Sequence, residues 1–327
     1  HNPDQIMLTR QLKGTGHSVT RIGLGLAALG RPGYINLGHN RDLAGRSGRI
    51  DLEQHSHSVL SAAYAAGIRY FDTARSYGDG EAFLGRWLAA GHATEPVTVS
   101  SKWGYRYVAA WRVDADVHEI KDHSLANLQQ QLEESRANLG SHLAVYQIHS
   151  ATLESGVLDD DSVLNRLAEL RNGGMTIGLS TSGPKQADVI RKAMAIERDG
   201  IGLFGTLQST RNLREQSAGN ALAEAQGAGK GILIKESMAN GRHTVREPAT
   251  SSALVKAVPG FPADAIAIAA ALAQPWVDAV ISGASTVEQL RSNLRALDID
   301  AADVPDLSAL VETPEVYWAK RSSLAWT

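Results

Sequence analysis

The chain has 327 residues, with 32 basic against 35 acidic side chains and a formal net charge of −3. That balance gives no electrostatic attraction to nucleic acid or to an anionic membrane, so a small molecule is the expected partner. It contains no cysteine, which excludes disulfides, thiolate metal sites and cysteine nucleophiles together.

No stretch reaches the ~20 consecutive apolar residues of a membrane span, and the opening HNPDQIMLTR has no hydrophobic signal core. The expected compartment is the cytoplasm. In chain order, 5-QIMLTRQL-12 and 18-SVTRIGLG-25 flank a GTG turn and predict a short hairpin closing the bottom of the fold. Eight apolar runs follow, at 20–28, 68–74, 97–103, 143–149, 176–181, 203–209, 231–237 and 279–285. Helical periodicity at 53–67, 124–140, 161–174 and 286–297 separates several of them, often ending on glycine. Strand and helix alternating eight times reads as one α/β domain over residues 1–327, a single (β/α)8 TIM barrel.

Two connections are too long to be idle, residues 30–50 after the first strand and 103–124 after the third; long loops in compact domains are usually lids or binding loops. The second carries Trp103, Tyr105, Tyr107 and Trp111, which are expected to line an apolar substrate mouth. The tail 317-YWAKRSSLAWT-327 holds Tyr317, Trp318 and Trp326. Three large aromatics after the last helix need apolar surface, so the tail is expected to cover the barrel mouth.

Barrel active sites gather at the C-terminal ends of the strands, so the polar residue closing each run matters most. Asp72 and Tyr77 follow the second strand, Lys102 closes the third and His149 the fourth. Singly, each has an ordinary explanation: a helix cap, a surface charge, a packed imidazole. Together on one rim they make chemical sense. A phenol with an ordinary pKa near 10 donates a proton more readily beside an ammonium. Asp72 would pair with Lys102, and His149 can donate to an oxygen on which charge develops. None of these groups supplies a hydride, so a nicotinamide cofactor is the natural missing reagent.

The motifs 67-GIRYFDTARSYG-78 and 145-VYQIHS-150, with Asp72, Tyr77, Lys102 and His149 in this order, resemble the catalytic tetrad of the aldo-keto reductase superfamily in its bacterial type. The resemblance runs over essentially the whole chain. It implies NADPH-dependent reduction of an aldehyde or ketone, with Tyr77 as acid, Lys102 and Asp72 tuning it, and His149 orienting the substrate oxygen. It also implies cofactor contacts from Gly25 and Leu26 at the end of the first strand. Ser180, Thr181 and Gln208 would meet the carboxamide of the nicotinamide, with Thr181 where the family usually has Asn. Lys235, Ser237, Met238 and Asn240 match the pyrophosphate-binding segment, and Gly283, Ser285, Gln289 and Asn293 belong to the phosphate site at the final helix. Arg211 stands where the family commonly stacks an aromatic on the nicotinamide ring. It would either stack there, unfavourably for the cationic oxidised ring, or turn into solvent.

The approach to the final helix, Gly283 to Thr286, offers a 2′-phosphate no cation; Ser285, Gln289 and backbone donors, with Arg291 reaching back, favour NADPH over NADH, with NADH as the alternative. The segment 23-GLGLAA-28 mimics a dinucleotide-binding fingerprint, but Gly30, Pro32 and Gly33 follow where a helix should run. The pair in 55-HSHS-58 points to different faces of a helix, so no metal is expected. Two other functions fit the same residues. One is a sugar or secondary-alcohol dehydrogenase working oxidatively. The other is a non-catalytic cofactor-binding subunit, against which the complete tetrad argues. The substrate pocket is expected to use Trp103, Tyr105, Trp111 and Trp318.

Overall fold

The computed structural model describes residues 8–327. Eight parallel strands close into a barrel in sequence order: β1 (Ile22–Gly25), β2 (Tyr70–Asp72), β3 (Thr98–Trp103), β4 (Leu143–Ala151), β5 (Thr176–Thr181), β6 (Thr206–Thr210), β7 (Gly231–Lys235) and β8 (Ala279–Ser282). Eight helices alternate with them: α1 (Arg49–Ala65), α2 (Gly80–Ala89), α3 (Leu125–Leu139), α4 (Asp161–Asn172), α5 (Gln186–Met194), α6 (Gly219–Gly227), α7 (Ala263–Leu272) and α8 (Val287–Leu294). An added helix, Pro248–Ala257, lies between β7 and α7, and Pro314–Ser322 follows α8.

Local chemistry explains the boundaries. Ser124, Asp160 and Thr286 accept hydrogen bonds from the first-turn N–H groups of α3, α4 and α8, satisfying donors that a helix start leaves unpaired. Inside the barrel Leu12, Val19, Tyr70, Val145, Leu233, Ala279 and Ile281 form one buried cluster. Space there is so short that a Cβ on Gly23 would meet Tyr70 at 2.4 Å. A larger cluster seals the strands under the helices.

The hairpin forms between Thr9–Gln11 and Ser18–Thr20, and Leu12 and Val19 plug the barrel floor. The first residues of the expected strand at 5–12 lie outside the described residues. The strand expected at 203–209 starts only at Thr206, because Ile201–Gly202 instead pairs back with Glu197–Arg198. Loop 103–124 contains an antiparallel pair, Tyr105–Tyr107 with Glu119–Lys121. The loop after β1 arches toward β7 through Leu37 N–H to Asn240 O and Asn240 Nδ2 to Asn36 Oδ1. The C-terminus returns across the mouth: Tyr34 and Thr327 exchange backbone hydrogen bonds in both directions. No helix among the described residues is long and apolar enough to cross a membrane.

Candidate active site

Alternation along each strand decides which side chains enter the barrel. Tyr70 and Asp72 of β2, Ser100 and Lys102 of β3, and Val145, Gln147 and His149 of β4 share the inward side. Beyond Ile148 the β4–β5 register shifts, Ser150 takes a φ of 50°, and its N–H donates to Ser180 Oγ at 2.8 Å. The regular ladder therefore stops where the imidazole reaches the mouth.

At the mouth Lys102 Nζ lies 2.5 Å from Asp72 Oδ2 and 3.2 Å from Tyr77 Oη, and it also donates to Thr73 O at 3.1 Å. Asp72 Oδ1 accepts from Ser100 Oγ at 2.6 Å, Gln208 Nε2 at 3.2 Å and Gln147 Nε2 at 3.3 Å. Asp72 and Lys102 are both buried, so each charge depends on the other and on these donors. The Tyr77 and His149 rings meet edge to face at 5.6 Å, and Tyr105 approaches His149 at 4.9 Å.

Burial, then the Asp72 carboxylate, push the Tyr77 phenol well above its ordinary 10, while Arg31 opposes them. The expected lowering by Lys102 does not prevail, because its 2.5 Å pairing with Asp72 leaves little net charge facing the phenol. Burial, then Lys102, Lys235 and Arg31, hold His149 far below its ordinary range. The imidazole is therefore neutral, with one N–H to donate.

These groups open on a cavity of about 740 Å3. Its wall includes Gly25, Asp72, Tyr77, Tyr105, His149, Gln208, Lys235, Ser237, Met238, Asn240, Gly283, Gln289 and Asn293, residues drawn from seven strand ends. Thirteen positions read from the sequence thus meet in one space. Ser237 Oγ and Asn240 Oδ1 are buried in that wall without a hydrogen-bond partner. Near a helix N-terminus the Ser237 hydroxyl can donate to a phosphate of a dinucleotide, whereas Asn240 Oδ1 can only accept, as from a ribose hydroxyl.

The structure keeps other expected residues out of the cavity. Trp103 follows inward Lys102, so it points outward and packs on His123. Trp111 is tied by its indole N–H to Ser47 O and lies against Phe83. Trp318 donates to Glu215 and packs on Tyr317, under the tail and away from the mouth. Arg211 neither stacks in the cavity nor reaches solvent: it is buried, with Nη1 3.5 Å from Ala270 O on α7. Leu26 is fully buried. Ser180 Oγ is taken up by Ser150, Thr181 Oγ1 by Gln186 and Ser209, and Ser285 Oγ by Gln289.

Further charged residues line the wall that the sequence reading does not single out. Arg31 is buried, donates to Ser76 O at 2.7 Å, pairs with Glu119 at 3.1 Å, and sits over the rings of Tyr77, Tyr34 and Trp326. Glu236 holds Arg321 through both carboxylate oxygens. Burial would raise Glu236, but Arg321 and then Lys235 hold it down to about 2. Arg41 lines the far part of the cavity. Only positive φ at Glu236, 55°, aims it inward beside Lys235, a backbone feature with no local sequence signal. His55 and His57 serve separate carbonyls, Ser285 O and Phe83 O.

An α/β barrel with such a cavity at the C-terminal ends of its strands has the build of a barrel enzyme. Residues 21–312 match the model of the Aldo/keto reductase family, and the chain belongs to that family. It is 24% identical over 291 residues to the uncharacterized oxidoreductase YqkF of Bacillus subtilis (strain 168), covering 81% of this chain and 90% of the other. It is also 27% identical over 114 residues to aldo-keto reductase str7 of Strobilurus tenacellus, 34% of this chain and 30% of that one. Among solved structures, the holo form of aldo-keto reductase AKR11C1 from Bacillus halodurans superposes with a TM-score of 0.72 at 19% identity, covering 94% of this chain and 97% of the other. The family implies nicotinamide-dependent carbonyl reduction.

Proposed function

We propose that this chain is an NADPH-dependent reductase of an aldehyde or ketone, with Tyr77 as the general acid. The observation that carries the reading is the buried relay Asp72–Lys102–Tyr77, with contacts of 2.5 and 3.2 Å, facing a neutral His149 across one cavity. A reduced nicotinamide, when bound, supplies the hydride that no side chain here can provide.

The chain's own residues do the rest. His149 donates its N–H to the substrate oxygen and fixes it near Tyr77 Oη. As negative charge grows on that oxygen, Tyr77 transfers its proton. Lys102 then stabilises the phenolate, and Asp72, held by three donors, keeps the ammonium in place. Burial keeps Tyr77 protonated until the oxygen becomes basic enough to take the proton. Ser237 and the N–H groups around Gly283 and Thr286 would hold the cofactor phosphates. Tyr105 and Trp326 would flank the substrate. The same relay run backwards removes a proton from an alcohol.

Tyr77→Phe tests the reading. Turnover should fall ~10²–10⁴-fold, while cofactor affinity, measured by fluorescence titration, stays unchanged. Near-normal turnover would remove Tyr77 from the mechanism.

A further inference from the structure

Three cations near the reacting end of the cavity already have a carboxylate partner. Lys102 has Asp72 at 2.5 Å, Arg31 has Glu119 at 3.1 Å, and Arg321 has Glu236 at 2.8 Å. Lys235 does not share this arrangement. Two residues beyond inward Leu233, its side chain enters the cavity wall with 17% of its surface exposed. The nearest carboxylate oxygen, Glu236 Oε1, is 3.8 Å away and already holds Arg321. Its amine has no hydrogen-bond acceptor among the described residues. Charge summed over this end of the cavity is therefore one positive unit in excess, located on Lys235.

We propose that Lys235 selects the oxidation state of the bound cofactor, holding the neutral reduced nicotinamide more tightly than the cationic oxidised one. The inference rests on the nicotinamide reading above. A hydride donor has to lie against the carbonyl whose oxygen meets Tyr77 and His149, so its ring belongs at this end of the cavity. Lys235 already acts electrostatically on His149. The phosphates and adenosine are common to both oxidation states and cancel in a ratio of affinities. Only the ring charge differs, and a lone ammonium opposes only the oxidised form. The consequence is rapid discharge of spent cofactor and weak inhibition by it, with a less reducing bound pair.

The groups facing Lys235 are Glu236 beside it, Arg321 from the C-terminal helix, Asp72 of β2, Lys102 of β3 and His149 of β4. Burial first, with Arg321 and Lys102 adding to it against Glu236 and Asp72, holds the amine down to about 8. The selectivity should accordingly be present below pH 8 and fade above it.

The experiment measures dissociation constants of NADP+ and NADPH by titration between pH 7 and pH 9.5, for the wild type, Lys235→Met and Lys235→Arg. In the wild type at pH 7 the oxidised-to-reduced ratio of dissociation constants should exceed that of Lys235→Met about tenfold, the scale of one pKa unit for a charge within ~4–6 Å. It should decline toward the Met value as pH passes 8. Lys235→Arg should keep it throughout, because a guanidinium stays protonated. A Met variant with the wild-type ratio at every pH would overturn the inference. So would equal loss of affinity for both forms, which would make Lys235 a phosphate anchor. If the wild type binds neither form, the nicotinamide reading fails and takes this inference with it.

Discussion

The Asp72–Lys102 pair can be dissected by a double-mutant cycle. Lys102→Met removes a buried ammonium that contacts Asp72, Tyr77 and Thr73, and it strands a carboxylate that is 3% exposed. Breaking a buried pair from one side typically costs ~3–5 kcal/mol. Ser100, Gln147 and Gln208 still donate to Asp72 Oδ1, so the lower figure, about 3, applies. Asp72→Asn leaves the buried Lys102 ammonium with neutral acceptors only, Thr73 O, Tyr77 Oη and the new amide oxygen, and about 3–4 kcal/mol is expected. Independent effects would total ~6–7 kcal/mol in the double variant. With both charges gone no unpaired ion remains, so the double variant should lose only about 3–4 kcal/mol, a coupling of at least ~2 kcal/mol. Converted at ~2 °C per kcal/mol for a chain this large, the single variants should melt about 6–8 °C below wild type and the double variant near either single one. Calorimetry and circular dichroism read this without any substrate. Additivity within ~0.5 kcal/mol would refute the idea that the two charges are held in the fold by each other.

Removing residues 324–327 takes away Trp326, which lies between Arg31 at 4.7 Å and the stacked ring of His118 at 4.2 Å; the Michaelis constant should rise several-fold with cofactor affinity intact, and an unaltered constant would place the tail outside substrate binding. His39, His123 and His243 are each held down to about 4, mainly by burial, whereas unfolded imidazoles titrate near 6.5. From these three alone the unfolded chain binds up to three more protons between those values: stability is fully present above pH 6.5 and is lost as pH falls toward 4. Melting temperature should drop across that window, less steeply in His123→Gln, and a flat profile from pH 7 to 5 would contradict the burial argument. Arg41 is an exposed guanidinium on the cavity wall, so Arg41→Ala should weaken NADPH binding more than NADH binding and flatten its salt dependence. Equal weakening would leave the 2′-phosphate to Ser285, Gln289 and backbone donors.

The barrel was legible because each strand is a short apolar run whose neighbour in space is also its neighbour in sequence, so the order follows from repetition. Alternation from Lys102 also could have shown that Trp103 faces outward, since adjacent residues on a strand point to opposite sides. Aromatic content alone hid that rule. Trp111 and Trp318 were misplaced for another reason. A tryptophan needs a partner for its N–H as well as apolar cover, and Ser47 O and Glu215 provide both on surfaces away from the mouth.

What the sequence could not reveal is the ionic ring around the tetrad. Arg31, Glu119, Glu236 and Arg321 come from four segments separated by up to 290 positions, and no local motif relates them. Each looks like an ordinary surface charge until the tail folds back and Tyr34 pairs with Thr327. Arg211 shows the same limit from the other side. It lies three residues past inward Gln208, where the strand has ended and alternation no longer governs direction, and its guanidinium finds Ala270 O near the C-terminal end of α7, the negative pole of that helix. Lys235 does enter the cavity, because it is still on its strand and keeps the inward parity of Leu233. Charge at this site is therefore assigned by strand parity where a strand persists and by loop closure where it ends, and only the first of these is written locally in the chain.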